Sequence, residues 1–210
     1  MDITSAVVTS RRILVLAAAG LLAAACSSSS SSTSAPTAPQ APSTAAASAA
    51  PATESPPPGD IPDTTVYVPY RPASGQYEVK VPEGWARTTT SADVSFTDKL
   101  NTITIRIVRA PAPTPTSARS TEVPQIQGSV RHFVLAGIST VSRSAGPVML
   151  IRYSADSQPD PVTGRVFRDA VERYDFYRNG TEAVVTLAGP SGADNVDPWR
   201  TVTNSFQWLR

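Results

Sequence analysis

One thiol, one imidazole and a scatter of carboxylates are the reactive side chains this sequence offers. Cys26 is the only cysteine among 210 residues and His132 the only histidine. A lone thiol excludes an intramolecular disulfide and any zinc site built on several cysteines, and a lone imidazole excludes a histidine-based metal cluster. A Ser-His-Asp triad would have to use His132, and no Gly-x-Ser-x-Gly elbow supplies its nucleophile. His132, next to Phe133, therefore reads as a packed or surface residue. Asp194, Asn195 and Asp197 place three oxygen-bearing side chains within four residues, and Asp156 and Asp160 stand in another loop, but neither group follows a known calcium loop. Helix capping by Asp197 and Asx turns at Asp194 or Asn195 account for the first group. Glu172 and Asp175 fall on opposite faces of one expected strand and make a poor glycosidase pair. Gly189-Pro190-Ser191-Gly192 lacks the Gly-Lys-Ser/Thr that grips phosphates and reads as a turn. No catalytic residue, metal or cofactor is assigned.

Cys26 invites a different chemistry. Ser10-Arg11-Arg12 precede an apolar run from Ile13 to Ala25, a positive n-region and an h-region too short to span a bilayer as a mature helix. The run ends Leu21-Leu22-Ala23-Ala24-Ala25-Cys26, which resembles the bacterial lipobox, with Ala23 where the usual Leu stands and Leu22 one place early. Residues 1–25 are expected as a lipoprotein signal peptide, and Cys26 as the diacylglycerated N-terminus of the mature chain. Ser10-Arg11-Arg12-Ile13-Leu14 also resembles a twin-arginine signal without its later Lys, so Sec and twin-arginine export both stay open. A diacylglyceryl group anchors stably where one acyl chain does not, which places the protein on the outer face of the cytoplasmic membrane.

After the cysteine the composition changes. Residues 26–62 are mainly Ser, Thr, Ala and Pro, with too few large apolar side chains to offset the entropy of ordering the backbone, and are expected as a disordered tether. Residues 63–210 remain, a single domain's worth. The 18 Lys and Arg balance 17 Asp and Glu for a net charge of +1, and in the domain the signs are interspersed. No basic stripe follows a phosphate backbone, so nucleic acid is excluded as a partner.

Alternation supplies the elements of the domain. Gln76–Val81 puts Tyr77, Val79 and Val81 on one face, and Pro82-Glu83-Gly84-Trp85 then turns the chain. Asp93–Thr97 and Thr102–Val108 form a hairpin with Ile103, Ile105 and Ile107 toward the core. Ala110–Pro115 is a proline-rich crossing, and Ser117–Phe133 holds at most a short helix because of Pro124 and Gly128. Pro147–Tyr153 is an apolar strand, and Ser154–Gly164 a loop. Asn179-Gly180 is a type I′ pair between two strand-like runs. A two-residue hairpin there sets Phe176 against Ala183, Tyr174 against Val185 and Glu172 against Leu187, and Glu172 among core residues then needs an arginine or the sheet rim. Asp197 with Pro198 starts a last helix whose Trp199, Val202 and Phe206 share one face. The aromatic residues either fill the core or line an apolar groove, with Trp85 and Trp208 the more exposed.

The run Val81-Pro82-Glu83-Gly84-Trp85, the segment Val171–Gly180 and the segment Gly189–Trp199 resemble actinobacterial lipoproteins of the Mog1/PsbP-like fold, similar to the mycobacterial LpqN/LpqT lipoproteins. The resemblance covers about residues 75–208. It implies an α+β fold, a mainly antiparallel curved sheet with flanking helices, in a family of binding and accessory proteins of envelope biogenesis and mycolate-glycolipid handling. It supplies no catalytic set. A non-catalytic binding or accessory protein of the envelope is thus the leading expectation, with the membrane as partner through the anchor and an envelope lipid, glycolipid or transport protein as the second partner. A protein scaffold at the membrane face is the alternative, and a hydrolase the least supported. Loops held by a rigid scaffold carry function, and strand directions bring Ser154–Gly164 and Pro190–Asp197 to one rim. Asp156, Asp160, Arg165, Asp194, Asn195 and Trp199 are its candidate contact residues.

Overall fold

The computed structural model describes residues 58–209; the expected signal peptide, Cys26 and most of the tether lie outside the described residues. The fold is α+β. A seven-stranded antiparallel sheet runs in the order β3-β4-β5-β9-β8-β7-β6, and β1, β2 and β10 form a separate three-stranded sheet. In chain order the strands are β1 (Tyr67–Tyr70), β2 (Tyr77–Pro82), β3 (Ala86–Thr89), β4 (Asp93–Asp98), β5 (Asn101–Arg109), β6 (Val134–Arg143), β7 (Gly146–Asp156), β8 (Arg168–Arg178), β9 (Thr181–Pro190) and β10 (Gln207–Trp208). Helices α1 (Pro115–Ser117) and α2 (Val123–Ser129) flank a π-helical turn at Ala118–Glu122, and α3 (Val196–Ser205) follows the last long strand.

The alternation of β5, β8 and β9 sorts their side chains onto two faces. One face carries Ile103, Ile105, Tyr174, Phe176, Val185 and Leu187 against the small sheet and α3, where Tyr77, Val79, Trp199, Val202 and Phe206 complete the main core. Phe206 stacks on Phe176 with ring centroids 4.2 Å apart and on Tyr77 at 5.5 Å. The other face is covered over a smaller area. There Met149, Ile151, Tyr153, Ala155 and Val171 pack against Ala118 and Ile126 of residues 115–129. Because β7 is covered on both faces, Val148 to Ile151 is a continuous buried run rather than an alternating one.

The hairpin register is the expected one: Phe176 opposes Ala183, Tyr174 opposes Val185 and Glu172 opposes Leu187. Asn179 and Gly180 both take positive φ, +49° and +78°, as a type I′ turn demands. Glu172 finds a phenol rather than an arginine: the Tyr174 hydroxyl donates to Glu172 Oε2 at 2.6 Å, and Arg143 Nη2 donates to the same hydroxyl at 2.8 Å.

Three expectations need correction and one is met: α2, seven residues long, is the short helix expected between Ser117 and Phe133. Just before Pro124 the wide π turn, closed by Val123 N–H on Ala118 O, loosens the backbone where the proline ring and missing donor would otherwise break it. Asp197 does not cap α3. Helix α3 begins at Val196 behind Asn195, so Pro198 is its third residue, and Asp197 pairs with Arg200 at 2.9 Å. The turn after β9 begins only at Ser191, because Gly189 and Pro190 pair with Ala170 and Asp169 as the end of the strand. Finally, residues 59–62 belong to the packed domain and not to the tether, since Ile61 is buried in the main core and Gly59 O accepts from Asn101 and Asn195.

Candidate functional site

The two loops do share one end of the large sheet, where Ser191 N–H donates to Arg168 O at 2.7 Å. Their candidate residues divide between the sheet's two faces and between structure and open surface. Asp160 is a staple of its own loop: Oδ1 accepts from Val162 N, Thr163 N and Thr163 Oγ1 at 2.7 to 3.0 Å, and the Thr163 bonds hold its carboxyl below the usual carboxylate range. Arg165 lies exposed over the Phe167 ring at 5.2 Å. Asp194 N–H donates to Asp60 Oδ1.

Asn195 is buried. Its Oδ1 accepts from Ile61 N at 2.9 Å, and its Nδ2 donates to Gly59 O at 3.1 Å and to Asn101 Oδ1 at 3.0 Å. With its side chain so engaged, none of it is left to cap α3 or to ligate an ion. A Cβ at Gly189 would sit 2.4 Å from Asn101 Oδ1, so glycine there is what admits the asparagine pair. Trp199 is buried in the core, and one side of it closes an apolar pocket of about 300 Å³ with Ala136, Ala170, Pro190, Ala193 and Val196.

Asp156 ends β7 opposite Arg168 of β8. It accepts from His132 Nδ1 at 2.6 Å, a bond that holds the Asp156 carboxyl below its ordinary range, and Arg168 Nη1 lies 3.5 Å from its second oxygen. His132 itself has a φ of +50°. Among the described residues no hydroxyl hydrogen-bonds this imidazole, so the His-Asp pair lacks the nucleophile of a triad. Also among the described residues, no three His, Cys, Asp or Glu side chains are grouped to hold a metal.

Behind Asp156 opens a cleft of about 460 Å³, whose floor is the outward face of β5 and β9. Thr102, Thr104 and Thr186 line that floor, with Thr104 directly opposite Thr186 in the strand register and its Oγ1 3.0 Å from Ser95 Oγ on the neighbouring strand. Tyr153 and Phe167 give it aromatic walls. In its wall stands Asp169, only 9% exposed, with no hydrogen bond or ion pair among the described residues and a buried Oδ1 without a partner. Burial, and then the charge of Asp156, push the Asp169 carboxyl up to about 6.

On the same face a second cleft, about 560 Å³, shares Thr104, Tyr153 and Thr186 with the first and runs beneath residues 115–129. Its charged group is Arg173 with three carboxylates: Asp175 at 2.8 Å, and Glu122 and Glu182 each at 3.5 Å. Glu122, Asp169 and Glu182 were not among the candidates from sequence. The available signal was charge on the face of a strand whose other face is apolar, which ordinarily means solvent; the helix that covers this face turns it into a cleft wall.

No family model matches the chain, and no curated protein is significantly similar to it. Several solved structures are similar to it in part. The cyanobacterial PsbP of Synechocystis sp. PCC 6803 is 16% identical, with 72% of this chain and 98% of that one covered and a TM-score of 0.48. The Ran-binding protein Mog1p of Saccharomyces cerevisiae is 9% identical over 69% of this chain and 96% of its own, with a TM-score of 0.49. LpqN of Mycobacterium tuberculosis, described as involved in cell envelope biogenesis, is 13% identical over 70% and 93%, with a TM-score of 0.39. The α+β class rests on the chain's own strand order and helices.

Proposed function

We propose that this protein is a non-catalytic lipoprotein of the cell envelope, held by Cys26 on the outer face of the cytoplasmic membrane, whose domain binds the sugar headgroup of an envelope glycolipid in the cleft beside Asp169. The observation that carries the reading is Asp169: a nearly buried carboxylate with no protein partner is costly, and a ligand hydroxyl donating to it removes that cost. The threonine hydroxyls on the floor both donate and accept, and Tyr153 and Phe167 offer faces for the apolar side of a sugar ring. Among the described residues no helix is long and apolar enough to cross a membrane, which agrees with attachment by a lipid.

The test is calorimetric titration of the full chain carrying Cys26→Ser with three probes: dodecyl maltoside below its micellar concentration, free maltose, and dodecylphosphocholine. The reading expects both sugar probes to bind and Asp169→Asn to weaken them about tenfold, the loss of one hydrogen bond to a charged group. Equal binding of dodecylphosphocholine, or sugar binding untouched by the substitution, overturns it. A scaffold for an envelope protein is the second reading, favoured by one feature: β6 is an edge strand, and its Val134 is 57% exposed.

A further inference from the structure

The group around Arg173 lies on the seam between residues 115–129 and the sheet. Asp175 and Arg173 stand on β8, Glu182 on β9, and Glu122 ends the π turn on the helical side. Arg109 of β5 and the phenol of Tyr153 on β7 also line this cleft, as does Arg106, which pairs with Asp93 on the neighbouring strand. One guanidinium thus faces three carboxylates. Two of their oxygens, Glu122 Oε2 and Asp175 Oδ2, are buried with no hydrogen-bond donor. Both needs are met at once when a single proton stands between the two carboxyl groups.

We propose that residues 115–129 form a lid on the cleft, latched to the sheet by a proton shared between Glu122 and Asp175 and released when that proton leaves. The device regulates the binding cleft and in that sense rests on the glycolipid reading, but the lid's motion is independent of what the cleft holds.

Three features allow such a lid to open without unfolding the domain. Its apolar hold is small, since of its side chains only Ala118 and Ile126 are buried. It is entered through Ala110-Pro111-Ala112-Pro113, which has no regular secondary structure. It is left through His132, whose positive φ marks a sharp change of chain direction.

The direction of the pH effect follows from linkage. Burial, and then the neighbouring Asp175 carboxyl, push the Glu122 carboxyl up to about 7; burial and the Asp175 charge push Glu182 to about 7. With the lid open, Glu122 is in water and returns toward the ordinary glutamate value near 4.5. The closed lid therefore holds a proton between roughly pH 4.5 and 7 that the open lid does not. Closure is favoured as pH falls through that window, the bias is lost as pH rises toward 7, and above it the opening equilibrium is level.

Amide hydrogen exchange of residues 116–129 in the unliganded full chain carrying Cys26→Ser, corrected for the intrinsic pH dependence of exchange, reads the lid directly. Its opening constant is expected to rise about forty-fold from pH 5 to 7, approaching tenfold per pH unit at mid-window, the limiting slope of one released proton. Glu122→Gln keeps a permanent donor toward Asp175 and should flatten the slope and raise protection at pH 7.5 at least tenfold, a gain that a merely damaged contact does not give. Should that variant fail to fold, Glu182→Gln removes one charge from the sheet side and should also raise protection of 116–129 at pH 7.5. Protection that does not change with pH in the wild type, or a Gln variant with the wild-type profile, overturns the proposal. Because no ligand is present, this result stands or falls separately from the sugar titration.

Discussion

At the scale of single residues, one amide decides how the end of the domain is closed. Asn195 joins three chain segments: the backbone at Gly59 and Ile61, the side chain of Asn101 at the start of β5, and its own position ahead of α3. Truncation to Ala would strand the buried Ile61 N–H and Asn101 Oδ1 together, each costing on the order of 1–2 kcal/mol. Asn195→Ala should therefore lower unfolding stability by about 3 kcal/mol in urea titration, with the denaturant slope unchanged. A loss below about 1 kcal/mol would mean that the amide is an open contact residue after all. The sequence marks Asn195 as unusual, since it sits in a cluster of oxygen-bearing side chains, but it does not reveal which way the amide turns. The partners at Gly59 and Asn101 are 136 and 94 residues away, so no local pattern predicts them. Asp169 is a similar case. Next to Arg168 in sequence it reads as a solvated charge, and only the covering of its face makes it a buried acceptor.

At the scale of elements, legibility followed local chemistry. The Asn179-Gly180 hairpin was readable to the residue because its turn type fixes the register and one strand face is almost wholly apolar. The hairpin between β4 and β5 was readable from alternation, but not its register, since Lys99-Leu100 carries no turn signal and Asp98 and Asn101 pair as strand ends rather than lying in the connection. Strand β6 was not. Ala136, Gly137 and Ser139 dilute its apolar pattern, a register shift between Leu135 and Gly137 breaks the alternation, and its edge position exposes the apolar residues a reader would expect inside. Strands β1, β3 and β10 are four residues or fewer, too short to show a period. Within residues 115–129 the short α2 was readable, but the π turn that leads the chain into Pro124 was not, because no local residue type marks it.

At the scale of the whole molecule, the expected export signal and tether bear on place together with the domain. On the proposed reading, export by residues 1–25 and acylation at Cys26 would present the domain beside the lipids that the cleft is proposed to recognise. Cys26→Ala should move the protein from the membrane to the soluble fraction of the producing cell, read by fractionation and intact mass; retention in the membrane would remove the anchor from the account. The central claim is the cleft. Nuclear magnetic resonance mapping of the Cys26→Ser chain during titration with dodecyl maltoside tests it most directly. The account predicts saturable shifts at Asp169, Phe167, Thr104 and Thr186, with the amides around Trp199 and Val196 on the opposite face unmoved. Shifts gathered instead around Trp199 and Val196, with Asp169 silent, would contradict it.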